Sequence, residues 1–310
     1  DWIWNGQFDP SIQTISLLML ACFVVLIIGL GMPIGFATGL IAVIFCVVFR
    51  DIDALSIITF RTYGFINSYV LLSVQMFLLM AAILDKSGVA HDLYDALKIW
   101  AGGVPGGVGV MTLIAASVMA AMTGIIGGEI ILLGLVALPQ MMRLGYDSKL
   151  AIGIVCAGGS LGVMIPPSLV LITIGSVTGV SIAALFTGGM LPGVVMGLAL
   201  CVVIGWRYRN EDLSHVRRAS LGVVGRTLLA AVPAVALPFV IRAAVVEGVA
   251  TATEVSTVAV VYALLVGHFI YGGIGLKKFY AMLVKTAALS GAVLLVLGSQ
   301  LLPRELLPHT

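Results

Sequence analysis

Charge is the scarcest property of this sequence. Of its 310 residues, 16 are Lys or Arg and 14 are Asp or Glu. That charged fraction of 10% compares with the ~25% usual in soluble domains. A soluble chain of this size could not cover its surface so thinly. A net charge of +2 offers no basic stripe, so nucleic-acid binding is excluded, and a chain this apolar is not intrinsically disordered. The four cysteines, Cys22, Cys46, Cys156 and Cys201, each stand alone inside an apolar run. That excludes a disulfide scaffold and leaves no metal-ligand spacing. Neither His-Glu-x-x-His nor Gly-x-x-x-x-Gly-Lys-Ser/Thr occurs, which removes the zinc peptidases and the P-loop pumps. His91, His215 and His268 share no spacing and have no carboxylate partner in sequence, so they do not form a relay.

What is abundant is hydrocarbon. Hydrophobic residues make up 61%, mean hydropathy is +1.18, and the apolar runs reach the ~20 residues needed to cross a ~30 Å core as helices. The expected class is an all-α polytopic membrane protein. Spans are expected over 12–31, 33–49, 69–84, 181–206, 221–246 and 253–271. Residues 50–67 read as a short interfacial helix, and 91–100 as a superficial amphipathic one. Following the crossings, Arg50, Arg61 and Arg242 fall on the side of the N-terminus, while twelve other Lys and Arg fall opposite and Arg304 is unplaced. Cytoplasmic loops carry the Lys/Arg excess. The expected topology is therefore a bacterial inner-membrane protein with a periplasmic N-terminus and a cytoplasmic 207–226 loop, whose arginines meet lipid headgroups.

After Arg226 the order of spans begins again from the opposite face, which is the signature of inverted-repeat secondary transporters. The expected organisation is scaffold helices and an interfacial arm over 1–67, half of a transport domain over 68–178, scaffold helices over 179–272, and the incomplete start of a second repeat over 273–310. In that last part a Lys-bearing stretch (275–285) precedes an apolar run from Ala287.

Two stretches interrupt the helical pattern. Over 106–142, two arms of about 13–15 residues, short of the ~20 that span a bilayer, flank Thr123-Gly-Ile-Ile-Gly-Gly-Glu129. This reads as a re-entrant hairpin, tolerated at membrane depth only inside protein or against an aqueous cavity. Over 148–178, a helix is broken by Gly158-Gly-Ser-Leu-Gly-Val-Met-Ile-Pro-Pro-Ser168. Glycines loosen backbone and two prolines lack N–H. Such a break exposes carbonyls suited to a hard cation, and the second half-helix offers N–H groups to an anion. Glycine/proline-broken segments are the best sequence pointer to a transporter site.

Several motifs resemble one family. The 158–168 block, Ala137-Leu-Pro-Gln-Met-Met-Arg-Leu-Gly-Tyr-Asp147, Leu84-Asp-Lys-Ser-Gly-Val-Ala90 and Thr251-Ala-Thr-Glu254 are similar to motifs of the large permease (M) subunit of TRAP (tripartite ATP-independent periplasmic) transporters, over essentially 12–299. The resemblance implies an elevator-type symporter for uptake of small organic anions, usually carboxylates, with Na⁺ as the coupling ion. It also implies a small TRAP membrane subunit and a periplasmic substrate-binding protein as partners. Carried over by motif, the ion site would use Thr123, Gly124 and Gly127 at the hairpin tip with carbonyls of Gly162, Ile165 and Pro167. This sequence departs from the family in lacking a Ser-rich tip, in Gln75 and in Ala252. It also lacks the second hairpin and second broken helix, so it reads as a C-terminally truncated member.

Glu129, Ser160 and Ser168 are candidates for substrate binding or coupling. For Glu129 the alternative is a carboxylate accepting N–H bonds where the second arm begins. Thr251 and Glu254 have capping-box spacing. Two other readings of the same broken-helix cavity are an intramembrane enzyme, which would need Ser160 as nucleophile, and an ion channel.

Overall fold

The computed structural model describes residues 10–50, 55–88, 93, 94, 97, 105–124, 128–209, 221–270 and 274–306. Its helices are α1 (Pro10–Val24), continued by a π turn over Val25–Gly29, α2 (Ile34–Arg50), α3 (Leu55–Ile66), α4 (Tyr69–Ser87), α5 (Gly107–Thr123), α6 (Gly128–Arg143), α7 (Ser148–Leu161), α8 (Leu169–Thr178), α9 (Ile182–Arg207), α10 (Leu221–Val246), α11 (Ala252–Phe269) and α12 (Leu276–Leu306). Among the described residues there is no strand. Among the described residues, four helical segments are long and apolar enough to cross a membrane: α4, α9, α11 and Leu276–Gly298 of α12. The all-α, polytopic class expected from composition is what the chain adopts. Of the expected amphipathic stretch 91–100, Leu93, Tyr94 and Leu97 are described and buried; the remainder, like 210–220 of the basic loop, lies outside the described residues.

The chain divides into two units, 1–68 with 287–310, and 69–286. In the first, the end of α12 lies on α2, where a Cβ at Gly35 would come 3.2 Å from Val296 Cγ2. The second holds both interrupted stretches. Its most extensively packed helix pair is α4 with α11, which run parallel. At one end the Thr253 hydroxyl donates to the Tyr69 carbonyl at 3.2 Å; at the other, a Cβ on Gly267 would meet Ser87 Cβ at 3.2 Å. Ser73 and Ser256 are fully buried, each hydroxyl donating to a carbonyl three residues back, so neither is stranded in the seam.

Three expectations need correction. The hairpin arms are longer than expected, at 17 and 16 residues, because helix continues to the tip on one side and begins at Gly128 on the other. The helix also persists through Gly158, Gly159 and Ser160 to Leu161, so only 162–168 are non-helical. Lastly, the Lys-bearing stretch and the apolar run near the end form one helix, α12, with Lys277, Lys278 and Lys285 on its exposed face. The stretch and the run, distinguished by their charge along the sequence, are one continuous helix.

Gly158 and Gly159 remain helical because they are packing surfaces. A Cβ on Gly158 would strike the Ala116 methyl, and one on Gly159 would strike Ile130 Cγ1. Small residues let helices approach closely where lipid supplies no hydrophobic drive. Gly153, on the exposed side of the same helix, has nothing near it. The same substitution should therefore have opposite signs on one helix. Gly158→Ala should destabilise by about 1–3 kcal/mol through overpacking, and Gly153→Ala should be neutral or stabilise by about 0.5–1 kcal/mol. Thermal unfolding of the purified variants in detergent checks both.

Candidate functional site

The hairpin stands with both ends beside the C-terminus of α9. At its base Gly106 packs against the Ile204 carbonyl and Gly205. Past its second arm, Tyr146 stacks on Tyr208 with ring centroids 3.9 Å apart, and the Asp147 N–H donates to the Tyr208 hydroxyl at 2.8 Å. The Gly109 N–H donates to the Tyr146 hydroxyl at 3.3 Å, which ties the two arms at the base. Asp147 then caps α7, accepting from the Leu150 N–H, so α7 starts from the same end as α5 and runs parallel to it.

This parallel run brings the two interruptions together. Ala116 faces Gly158, and one turn on Ala120 faces Gly162, where a Cβ would fall 2.8 Å from the Ala120 backbone. At the tip, Gly124 closes α5 with φ +63°, its N–H donating to the Ala120 carbonyl at 2.7 Å. That left-handed conformation favours glycine, and space requires it too. A Cβ there would lie 2.9 Å from the Pro167 carbonyl oxygen and 3.3 Å from the Leu169 nitrogen. The tip therefore meets the non-helical stretch, and α8 runs on beyond it for ten residues, about 15 Å at 1.5 Å per residue.

Within the break the Leu161 carbonyl accepts from the Met164 and Ile165 N–H groups. Beyond it, no carbonyl from Gly162 to Pro167 accepts a hydrogen bond among the described residues. The two prolines, joined by a cis peptide, explain part of this: they have no N–H to return to the preceding turn. Pro166, Pro167 and Ser168 are buried. Past the break, the Leu169 and Val170 N–H groups open α8 without an acceptor among the described residues. The arrangement is a run of carbonyl oxygens followed at once by the electropositive end of a helix. Among the described residues no group of three His, Cys, Asp or Glu could hold a metal, and backbone oxygens are a ligand type that suits hard ions.

The expected site residues are placed as follows. Gly124, Gly162 and Pro167 are brought together. Ile165 sits in the same break, but its side chain turns to α9, 3.2 Å from where a Cβ on Gly193 would stand. Thr123 ends α5, described by its backbone alone, and Gly127 lies outside the described residues. Glu129 is in the first turn of α6 and 3% exposed. Ser168 is fully buried and is the N-cap of α8, accepting from the Leu171 N–H at 3.5 Å. Ser160 is exposed on α7 and donates to the Cys156 carbonyl at 2.9 Å. Although Gly158-x-Ser160-x-Gly162 has the letters of a nucleophile elbow, an elbow requires a strand-to-helix turn, and this serine is inside a helix. Thr251 and Glu254 form a reciprocal capping box at the start of α11: the Thr251 N–H donates to Glu254 Oε2 at 2.8 Å and the Glu254 N–H to the Thr251 hydroxyl at 3.4 Å.

Sequence reasoning placed the span that became α9 but missed the packing of its glycines on the break. Gly189 and Gly193, four residues apart in an apolar helix, face Met164 and Ile165 of the break. Their Gly-x-x-x-Gly spacing was the available signal.

The two serines should separate by stability. Ser168→Ala should cost about 1 kcal/mol through the lost cap, while Ser160→Ala should stay within about 0.5 kcal/mol, both read by thermal unfolding.

Comparison with known proteins identifies the family. Residues 20–310 match the family described as "Tripartite ATP-independent periplasmic transporter, DctM component". The chain is 28% identical over 273 residues to a C4-dicarboxylate TRAP transporter large permease protein of Vibrio cholerae, covering 82% of this chain and 57% of that one. It is 30% identical over 250 residues to the protein of the same description in Pseudomonas aeruginosa, covering 81% and 58%. It is 27% identical over 274 residues to the 2,3-diketo-L-gulonate TRAP transporter large permease protein of Escherichia coli, covering 88% and 64%. The chain thus spans about six-tenths of the length of these relatives. With the match running from residue 20 to 310, the chain belongs to the DctM family of TRAP transporter large permease components.

Proposed function

We propose that this chain supplies the hairpin-and-break part of a Na⁺-coupled permease for small organic anions in a bacterial inner membrane. The observation that carries the reading is the meeting of two backbone interruptions, Gly124 against the Pro167 carbonyl, beside a run of carbonyls without hydrogen-bond donors among the described residues. Carbonyls in an apolar surrounding retain the full cost of lost hydration unless something binds them. A sodium ion meets that need with oxygen ligands from Gly162, Ile165 and Pro167 and from the Thr123–Gly127 tip.

The substrate's negative charge is received by the N-terminus of α8, where the Leu169 and Val170 N–H groups and the helix dipole point. Ser168 contributes by capping that helix end. Glu129 and Ser160 remain candidates for the cavity wall. Ion and substrate share one short segment, 162–170, so binding either orders backbone that the other needs, which is the physical basis for coupling. The ten residues of α8 beyond the tip support a re-entrant hairpin, since a full span would carry the tip to the far end of the neighbouring helix. Relatives named for C4-dicarboxylates and 2,3-diketo-L-gulonate support an organic-anion substrate. The family's name supports a tripartite assembly, with a small membrane subunit and a periplasmic binding protein that delivers the substrate before an elevator movement.

Reconstitution of the permease complex with its binding protein tests this. A Na⁺ gradient should drive saturable uptake, and replacement with choline should abolish it. In Gly162→Val, whose side chain would enter the Ala120 backbone, sodium dependence or uptake should be lost. Normal uptake in choline, or normal coupled uptake in the variant, contradicts the proposal.

A further inference from the structure

Six carbonyls in the break have no donor among the described residues, yet only some can face the hairpin tip. Two have their directions fixed by close backbone neighbours. The Pro167 oxygen lies against Gly124, and the Met164 oxygen lies against α9, 2.8 Å from where a Cβ on Gly189 would stand. Between them are only Ile165 and two prolines whose φ is fixed by the ring. A segment with so few soft torsions transmits a displacement of one carbonyl to the other.

We propose that Gly189 is a positioning residue for the cation site: by admitting the Met164 carbonyl against α9, it holds the break so that the Pro167 carbonyl faces the tip. This inference rests on the reading of 162–167 as the cation site. The glycines of α9 form a graded series. A Cβ at Gly188 would meet nothing within 4 Å, and one at Gly197 would make an ordinary 3.7 Å contact with Leu161. At Gly193 it would press on side chains, Ile165 Cγ1 at 3.2 Å and Met164 Cβ at 3.3 Å. At Gly189 its nearest atom would be backbone oxygen, and backbone held between two helices yields least. Neither Gly189 nor Gly193 needs glycine for its own dihedral angles, since both lie inside a regular helix. Their absent side chains serve the neighbouring break.

The test is the Na⁺ concentration giving half-maximal uptake by the reconstituted complex, titrated with NaCl against choline chloride at constant ionic strength. Gly189→Ala should raise it on the order of tenfold, as loss of a supporting contact does at other ion sites. The maximal rate at saturating Na⁺ should be retained. Gly193→Ala should give a smaller rise in the same direction, with Gly188→Ala and Gly197→Ala at the wild-type value. A wild-type sodium midpoint for Gly189→Ala, or a lowered melting temperature in choline without a change in that midpoint, overturns the inference. Should Gly189→Ala not be recovered folded, Gly193→Ala decides, and a wild-type midpoint there overturns it equally. Wild-type uptake without sodium dependence fails the cation site itself, and this inference with it.

Discussion

The close approach of α5 and α7 is the constraint on which the rest of this unit depends. Ala116 and Ala120 on one helix meet Gly158 and Gly162 on the other. In hydrocarbon, two helices gain little by hiding apolar surface from one another, so association depends on dense packing between small residues. That contact sets the register of the hairpin against the broken helix. With the base fixed by Tyr146, Asp147 and Tyr208, a hairpin of this length delivers Gly124 to Pro167. Shifting the register by one turn would bring Ala120 against Gly158 and leave the tip opposite Gly162, a turn short of Pro167.

The consequence for the proposed function is that main-chain groups stand available at the break. Side chains in the break have other tasks: Ser168 caps α8, Ile165 packs on α9, and the prolines withhold N–H groups. Carbonyls are left over because helix was interrupted, and half-helix N–H groups are left over for the same reason. A cation and an anion can thus be served by adjacent residues without a buried ionised side chain, which a membrane interior makes costly.

Much of this was legible in the sequence. Apolar length alone located 221–246, the bounds of α10, and spacing located the Thr251–Glu254 cap, whose chemistry is local. That the two interruptions belong together was implied by the resemblance of the 158–168 block to a family motif, since no spacing in the sequence shows it. What failed did so for identifiable reasons. Gly158 and Gly159 read as loosened backbone because glycine is a poor helix former in water. The same residue between packed helices in lipid is an approach surface, and only a partner such as Ala116, 42 positions earlier in the numbering, distinguishes the two. Gly189 was overlooked because its Gly-x-x-x-Gly spacing marks only a close approach, and the atom approached, the Met164 carbonyl of the break, is distant in sequence. The lysines near the start of α12 hid its continuity, because a helix of this length runs on through a short charged turn into its apolar part.

The central claim, a cation held by main-chain oxygens between tip and break, is tested most directly by the sodium dependence of stability. Thermal unfolding of the purified protein should be measured in NaCl and in choline chloride at equal ionic strength. A ligand that binds only the folded state stabilises it by about 2.7 kcal/mol at a hundredfold excess over its Kd. The account predicts a saturable rise of the midpoint with Na⁺ that choline does not reproduce. Identical midpoints in the two salts across the full concentration range would contradict it.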